Sequence, residues 1–304
     1  MSARTLWAAV RARERAARTR TLVRLLERTT SRSPVIVPEY SFRPRARWGW
    51  EEPPPERLAR ILAEAEPDAA ETVAAALELR DWCQTIPRSA AGASGHEPYW
   101  DNDYWGGLDA VVQVAELKRR NPALYLEVGS GHSTRFARRA IDDFSLRTRI
   151  VSIDPSPRAE VDALCDEVVR SPAEDAPEEV WRGLAEGDVL FVDGSHMALM
   201  GSDATVLLCE VLPRLPAGVM VQIDDIFLPW DYPPTWNRRW YGEQYVLAGL
   251  LLGGAAGWRI RFAGWHLTQL SQQAQSFAPL WPLVETRFGR VASSFWIERD
   301  GDDL

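Results

Sequence analysis

Acidic residues and one histidine stand where short apolar runs stop: Asp154 after Val151-Ser152-Ile153, Asp193 and His196 in Phe191-Val192-Asp193-Gly194-Ser195-His196, and Asp224 with Asp225 after Val221-Gln222-Ile223. In open α/β sheets ligands sit beyond the carboxyl ends of the strands, so these sequence-distant groups are expected to converge there. Asp193, Asp224 and Asp225 would repel one another unless a cation neutralised them. A hard divalent ion such as Mg²⁺, which takes oxygen ligands, is the natural guest, with calcium or manganese as alternatives. Otherwise one carboxylate caps a helix and another meets solvent. His196 lies three residues after Asp193 and reaches the same pocket, where a neutral imidazole suits removal of a proton from an acceptor hydroxyl.

The second constellation is Leu126-Glu127-Val128-Gly129-Ser130-Gly131-His132-Ser133-Thr134, a strand that runs into a Gly-x-Gly turn and opens a helix. Glycines let a ligand approach the backbone, and the helix start offers free N–H groups. A dinucleotide fingerprint would place a third glycine at position 134, where this chain has Thr. That difference and the acidic Glu127 favour S-adenosylmethionine over NAD, with Glu127, Gly129, Ser130, Gly131 and Ser133 as contacts. The competing reading is a tight turn whose Ser133 or Thr134 caps the helix. Asp154 would take the ribose hydroxyls, Ser171 and Glu174 would lie at the adenine edge, and Asp193 would border the cofactor as well. His132 belongs to the cofactor loop; His96 and His266 carry no argument. Tyr99, Trp100, Tyr104, Trp105, Trp230, Tyr232, Trp236, Trp240 and Tyr241 supply rings that either stack on an acceptor or pack as core and lid.

To hold these groups together the chain needs a parallel sheet covered on both faces, and from Gly106 onward helices alternate with β-rich runs. Strands are expected at Leu124–Val128, Ile150–Ile153, Glu167–Val169, Val189–Val192, Val219–Ile223, Trp258–Phe262 and Val291–Glu298. Helices are expected at Leu108–Arg120, Ser133–Ile141, 158–164, Glu178–Leu184 and Ala204–Leu212, with a further buried helix after Glu243. Upstream, helices are read at 5–28, Glu56–Glu64 and Pro67–Cys83, so residues 1–95 form a helical appendage and 96–304 the cofactor-binding domain.

Charge is divided unevenly along the 304 residues. The total is −8, yet residues 1–47 hold twelve Arg against Glu14, Glu27 and Glu39, a net +9. A basic arm of this kind docks on the acidic body, on a partner subunit in a homo-oligomer, or on an anionic surface; no nucleic-acid motif accompanies it. Cys83, Cys165 and Cys209 match neither a disulfide framework nor a zinc spacing. No signal peptide or membrane span is visible, and a cytoplasmic protein is expected.

Taken together, LEVGSGHST, SIDPSPR, FVDGSHMALMGSD and IDDIFLPWDYP resemble class I methyltransferases of the macrocin and mycinamicin sugar O-methyltransferase type, over about residues 100–262. The resemblance implies a Rossmann-like, seven-stranded, mostly parallel sheet and methyl transfer from S-adenosylmethionine to a hydroxyl of a small molecule, sugar or glycan. It further implies that Asp193, Asp224 and Asp225 hold the divalent metal and that His196 is the base. Those enzymes tend to carry Glu where this chain has Asp224. A metal-dependent hydroxylase or hydrolase, or a non-catalytic binding module, would reuse the same fold.

Overall fold

The structure is a computed structural model that describes residues 42–157, 160–287 and 289–301. Met1–Pro44 forms one unit and Arg45–Leu304 a second, compact one. The helix expected over 5–28 and most of the basic arm lie outside the described residues.

Seven strands form one sheet: β1 Leu124–Val128, β2 Arg149–Ile153, β3 Glu167–Val169, β4 Val189–Val192, β5 Met220–Ile223, β6 Trp258–Ala263 and β7 Phe295–Arg299. Their order is β3-β2-β1-β4-β5-β7-β6. The first five run parallel, and β7 inserts antiparallel to both β5 and β6. Apolar side chains on both faces make β4 and β5 buried throughout, as a sheet sandwiched between helices requires.

Five helices of eight or more residues are described: α1 Glu56–Glu64, α2 Ala70–Glu78, α3 Gly107–Arg120, α4 His132–Phe144 and α5 Glu243–Leu252. One core layer joins Val73, Ala76, Leu79 and Trp82 to α3, α4 and the sheet residues Tyr125, Phe191, Met220 and Trp296. The other joins Leu58 and Leu62 to Leu126, Val192, Val221, Ile223 and the α5 residues Leu247 and Leu251. The helices at 56–83 therefore complete the same cores as the sheet, and the compact unit begins at Arg45.

Three elements differ from expectation for identifiable reasons. Among the described residues between β2 and β3 the helical element is the short turn Asp162–Leu164, in a connection that begins Pro155-Ser156-Pro157. The expected Ala204–Leu212 helix is one α-turn, Asp203–Val206, followed by a π-turn at Leu207–Val211 and a tight turn Leu212–Arg214 that contains Pro213. The last strand starts at Phe295 because Ser293 N (3.0 Å) and Ser294 N (2.9 Å) donate to the Asp109 carboxylate on α3. No helix among the described residues is long and apolar enough to cross a membrane.

Candidate active site

At the carboxyl end of β1 the chain turns into α4 over a buried carboxylate. Glu127 is fully buried and accepts hydrogen bonds from Ser133 Oγ (2.5 Å), Thr134 Oγ1 (2.5 Å) and Tyr125 OH (3.3 Å). Thr134 Oγ1 in turn accepts from Gly131 N at 2.9 Å. The residue that departs from the dinucleotide pattern thus ties the glycine turn to the carboxylate beneath it. Burial pushes the Glu127 carboxyl up to about 7, against the lowering effect of the Ser133 and Thr134 hydroxyls. Glu127 and Ser133 hold the loop from below.

The two glycines have different work. Gly129 sits at φ +80°, and a Cβ there would lie 1.9 Å from the Asp193 carbonyl oxygen, so the close approach of the β1 and β4 ends requires glycine. A Cβ at Gly131 meets nothing within 4 Å. Asp154, at the end of β2, accepts from Ser130 N (2.8 Å) and Ser130 Oγ (3.1 Å) on one oxygen and from Ser156 N (2.7 Å) on the other. Ser130, Gly131 and Asp154 thereby form one rim. Ser171 donates its hydroxyl to the neighbouring Pro172 carbonyl, and Glu174 is exposed on the turn Ala173–Asp175; neither bonds to the other expected site residues. His132 opens α4 with Tyr99 edge-on at 5.1 Å and Tyr104 stacked at 6.2 Å. Burial, reinforced by Arg135, lowers its imidazole to about 4, so it is neutral near pH 7.

At the ends of β4 and β5 the histidine is the centre. The turn after Asp193 is fixed by Asp203, which accepts from Ser195 N at 2.5 Å and lies so close that a Cβ on Gly194 would meet its carboxylate. His196, at φ +58° and 4% exposed, places Nδ1 at 2.9 Å from Glu243 and Nε2 at 3.1 Å from Asp193 and 3.6 Å from Asp225. The His196 carbonyl accepts from Gly242 N (2.7 Å) and Glu243 N (3.2 Å), and the Tyr241 ring lies 4.6 Å from the imidazole. Burial pulls the imidazole pKa down, but the bonds to Asp193 and Glu243 and the charge of Asp225 outweigh it and raise it well above the ordinary value. Burial raises Asp225 to about 7, where His196 opposes and Asp193 adds to the shift.

The expected three-carboxylate metal centre is not assembled. Asp193 and Asp225 face His196, whereas Asp224 is buried beside them with Oδ1 unpartnered and carries no bond to the histidine. Among the described residues no three His, Cys, Asp or Glu side chains are arranged to hold a metal ion. His196 instead lies against Asp193 (3.1 Å) and Asp225 (3.6 Å), where a protonated imidazole would offset their charge. Glu243 went unnoticed in the sequence. Its signal was an acid at the first turn of an otherwise apolar, buried helix, which needs a partner to be tolerated there.

A groove of about 660 Å³ lies elsewhere, lined by Cys83, Arg88, Trp100, Trp281 and Arg287 among others; of the expected residues only the Trp100 ring borders it.

Residues 126–226 match the family described as a methyltransferase domain. This segment begins in β1 and ends just past β5, and so contains the glycine turn, Asp154, Asp193, His196, Asp224 and Asp225. The match makes this segment a methyltransferase domain, set in a seven-stranded, mostly parallel Rossmann-like sheet. The SAH-bound methyltransferase PaMTH1 of Podospora anserina is 17% identical, with 88% of this chain and 100% of that chain covered and a TM-score of 0.38. Cofactor-bound Rv0187 from MTB is 15% identical, with 83% and 100% covered and a TM-score of 0.33. At these values neither likeness bears on substrate or mechanism. A search of the curated proteins finds none that matches this chain.

Proposed function

We propose that the protein transfers a methyl group to a hydroxyl of a small molecule or sugar, with His196 as the base. The observation that carries this is the buried imidazole at the end of β4, oriented through Nδ1 by Glu243 and directed through Nε2 at Asp193. An acceptor hydroxyl that takes the place of the Asp193 carboxylate would deliver its proton to Nε2. Asp193 and Asp225 stabilise the imidazolium that results. S-adenosylmethionine, when bound, supplies an activated methyl group whose bond to sulfur breaks as the new bond to oxygen forms.

The rim fits that cofactor. Position 131 opens on clear space, Asp154 retains lone pairs for ribose hydroxyls, and Ser130, Ser171, Glu174 and Asp193 follow the ends of β1, β3 and β4 along the chain. Gly131→Val is the informative change, because the protein itself has room for the side chain. Calorimetric titration with S-adenosylhomocysteine is expected to show binding to wild type and none to Gly131→Val, at equal thermal stability. Equal affinity would remove the cofactor from this rim.

Proton removal by His196 needs no metal. Excess EDTA is expected to leave turnover intact, read as S-adenosylhomocysteine formed over a panel of hydroxylated acceptors. Loss of turnover that Mg²⁺ restores would instead assign Asp193 and Asp225 to a cation.

A further inference from the structure

The loop after β5 carries Trp236-Asn237-Arg238-Arg239-Trp240-Tyr241, and its second arginine is held in an unusual way. The Arg239 guanidinium lies 3.9 Å over the Trp236 ring and 5.5 Å from the Tyr241 centroid, with Nη1 at 3.3 Å from Tyr241 OH. The turn Pro234–Trp236 fixes the backbone, because Arg239 N donates to the Trp236 carbonyl at 2.8 Å. Stacking immobilises the plane of the group and leaves its N–H edge for a bidentate partner. Among the described residues no carboxylate lies within ion-pair distance of it.

Tyr241 connects this guanidinium to the candidate base, since the same ring lies 4.6 Å from His196. Arg239 is close enough for its charge to act on Asp225. A base, an aromatic ring and a stacked cation therefore lie in series through Tyr241. Asp193, Asp225 and Glu243 would repel an anion there, so an acidic ligand needs the positive charge that Arg239 provides.

We propose that the acceptor is a hydroxylated ring acid, whose carboxylate pairs with Arg239 while its ring lies along Tyr241 and its hydroxyl meets His196. This rests on His196 marking the acceptor site. Both hydroxyaryl acids and sugar uronates have the required chemistry.

The test titrates the S-adenosylhomocysteine-loaded protein, by tryptophan fluorescence, with hydroxybenzoates and hydroxycinnamates against their methyl esters, and with methyl glucuronoside against methyl glucoside. S-adenosylmethionine turnover is followed on the same compounds. Acids are expected to bind at least about tenfold more tightly than their uncharged counterparts, a preference that Arg239→Met abolishes and Arg239→Lys partly retains. The exposed Arg238→Met controls for net charge and should keep the preference. Saturation by the aryl acids alone, or by the uronate alone, identifies the ring. Equal binding of acids and esters, absence of binding by every acid, or an unchanged preference in Arg239→Met would each overturn the proposal. Binding that follows Arg239 without any methyl transfer keeps a ring acid as the ligand of Arg239 but overturns its role as acceptor together with the O-methylation reading. Turnover of esters and acids alike, unaffected by Arg239→Met, overturns the proposal and keeps the O-methylation reading.

Discussion

His196 is buried among three carboxylates of the candidate site, and its protonation sets how it can act. Its pKa is raised by Asp193, Glu243 and Asp225, so the imidazolium persists above the ordinary titration range. A base must be neutral, and kcat/KM is therefore expected to rise with pH along a limb that lies above about 6.5. Glu243→Gln removes one of the anions that favour the charged form and should move this limb to lower pH while Nδ1 keeps an acceptor. His196→Gln should cost about two to four orders of magnitude in rate. A pH profile identical in wild type and Glu243→Gln would deny Glu243 its positioning role. Glu127 gives a stability counterpart. Its carboxyl is raised from 4.5 to about 7 in the folded chain, so its contribution is full below 4.5 and is lost as pH rises through 7. Thermal midpoints measured between pH 4.5 and 8 should fall less steeply in Glu127→Gln than in wild type.

At the scale of elements, the glycine turn and the loop after β5 are both braced by contacts distant in sequence. Gly129→Ala combines a backbone clash with the Asp193 carbonyl and a left-handed φ, and should cost about 2 kcal/mol or more in urea denaturation. Gly131→Ala should cost little, because no atom opposes its Cβ. The loop after β5 is strapped by residues 46–50. Asp231 accepts from Arg47 N (2.7 Å), Trp48 N (2.9 Å) and Tyr245 OH (2.9 Å), and its carbonyl accepts from Trp50 Nε1 at 3.1 Å. The Trp50 ring packs edge-on against Trp230 at 5.2 Å. Asp231→Ala leaves two backbone donors without their carboxylate and should raise proteolytic sensitivity near residue 47 before it affects the sheet.

At the scale of the molecule, the helices at 56–83 share the core layers of the compact unit. Leu58 and Leu62 sit in one core layer and Val73, Ala76 and Trp82 in the other, while Trp82 Nε1 donates to Asp143 at 2.8 Å and Thr72 Oγ1 to Glu116 at 2.6 Å. A chain truncated before residue 96 would expose both layers and should lose near-UV circular dichroism and cooperative melting. A chain that starts at Arg45 should keep both. Retention of cooperative melting by the shorter piece would make 1–95 the separable appendage that its helical pattern suggests.

The sequence alone determined the succession of strands along the chain, the glycine turn and the acidic residues at strand ends, because each depends on local spacing: an apolar run of the right length, Gly where the backbone must turn, and an acid where the run stops. Glu56–Glu64, Leu124–Val128 and Val189–Val192 have the limits that this spacing dictates. Only the tertiary structure decided which groups meet. Asp224 and Asp225 are adjacent in sequence, yet one faces His196 and the other lies buried beside it without a partner. Glu243, 47 residues further along, fixes His196 beside Asp193 and Asp225. The shortened last strand has the same kind of cause, in the bonds of Ser293 and Ser294 to Asp109 some 184 residues earlier. Pairings at such separations are set by how helices pack on the sheet, and no local pattern of residues encodes them.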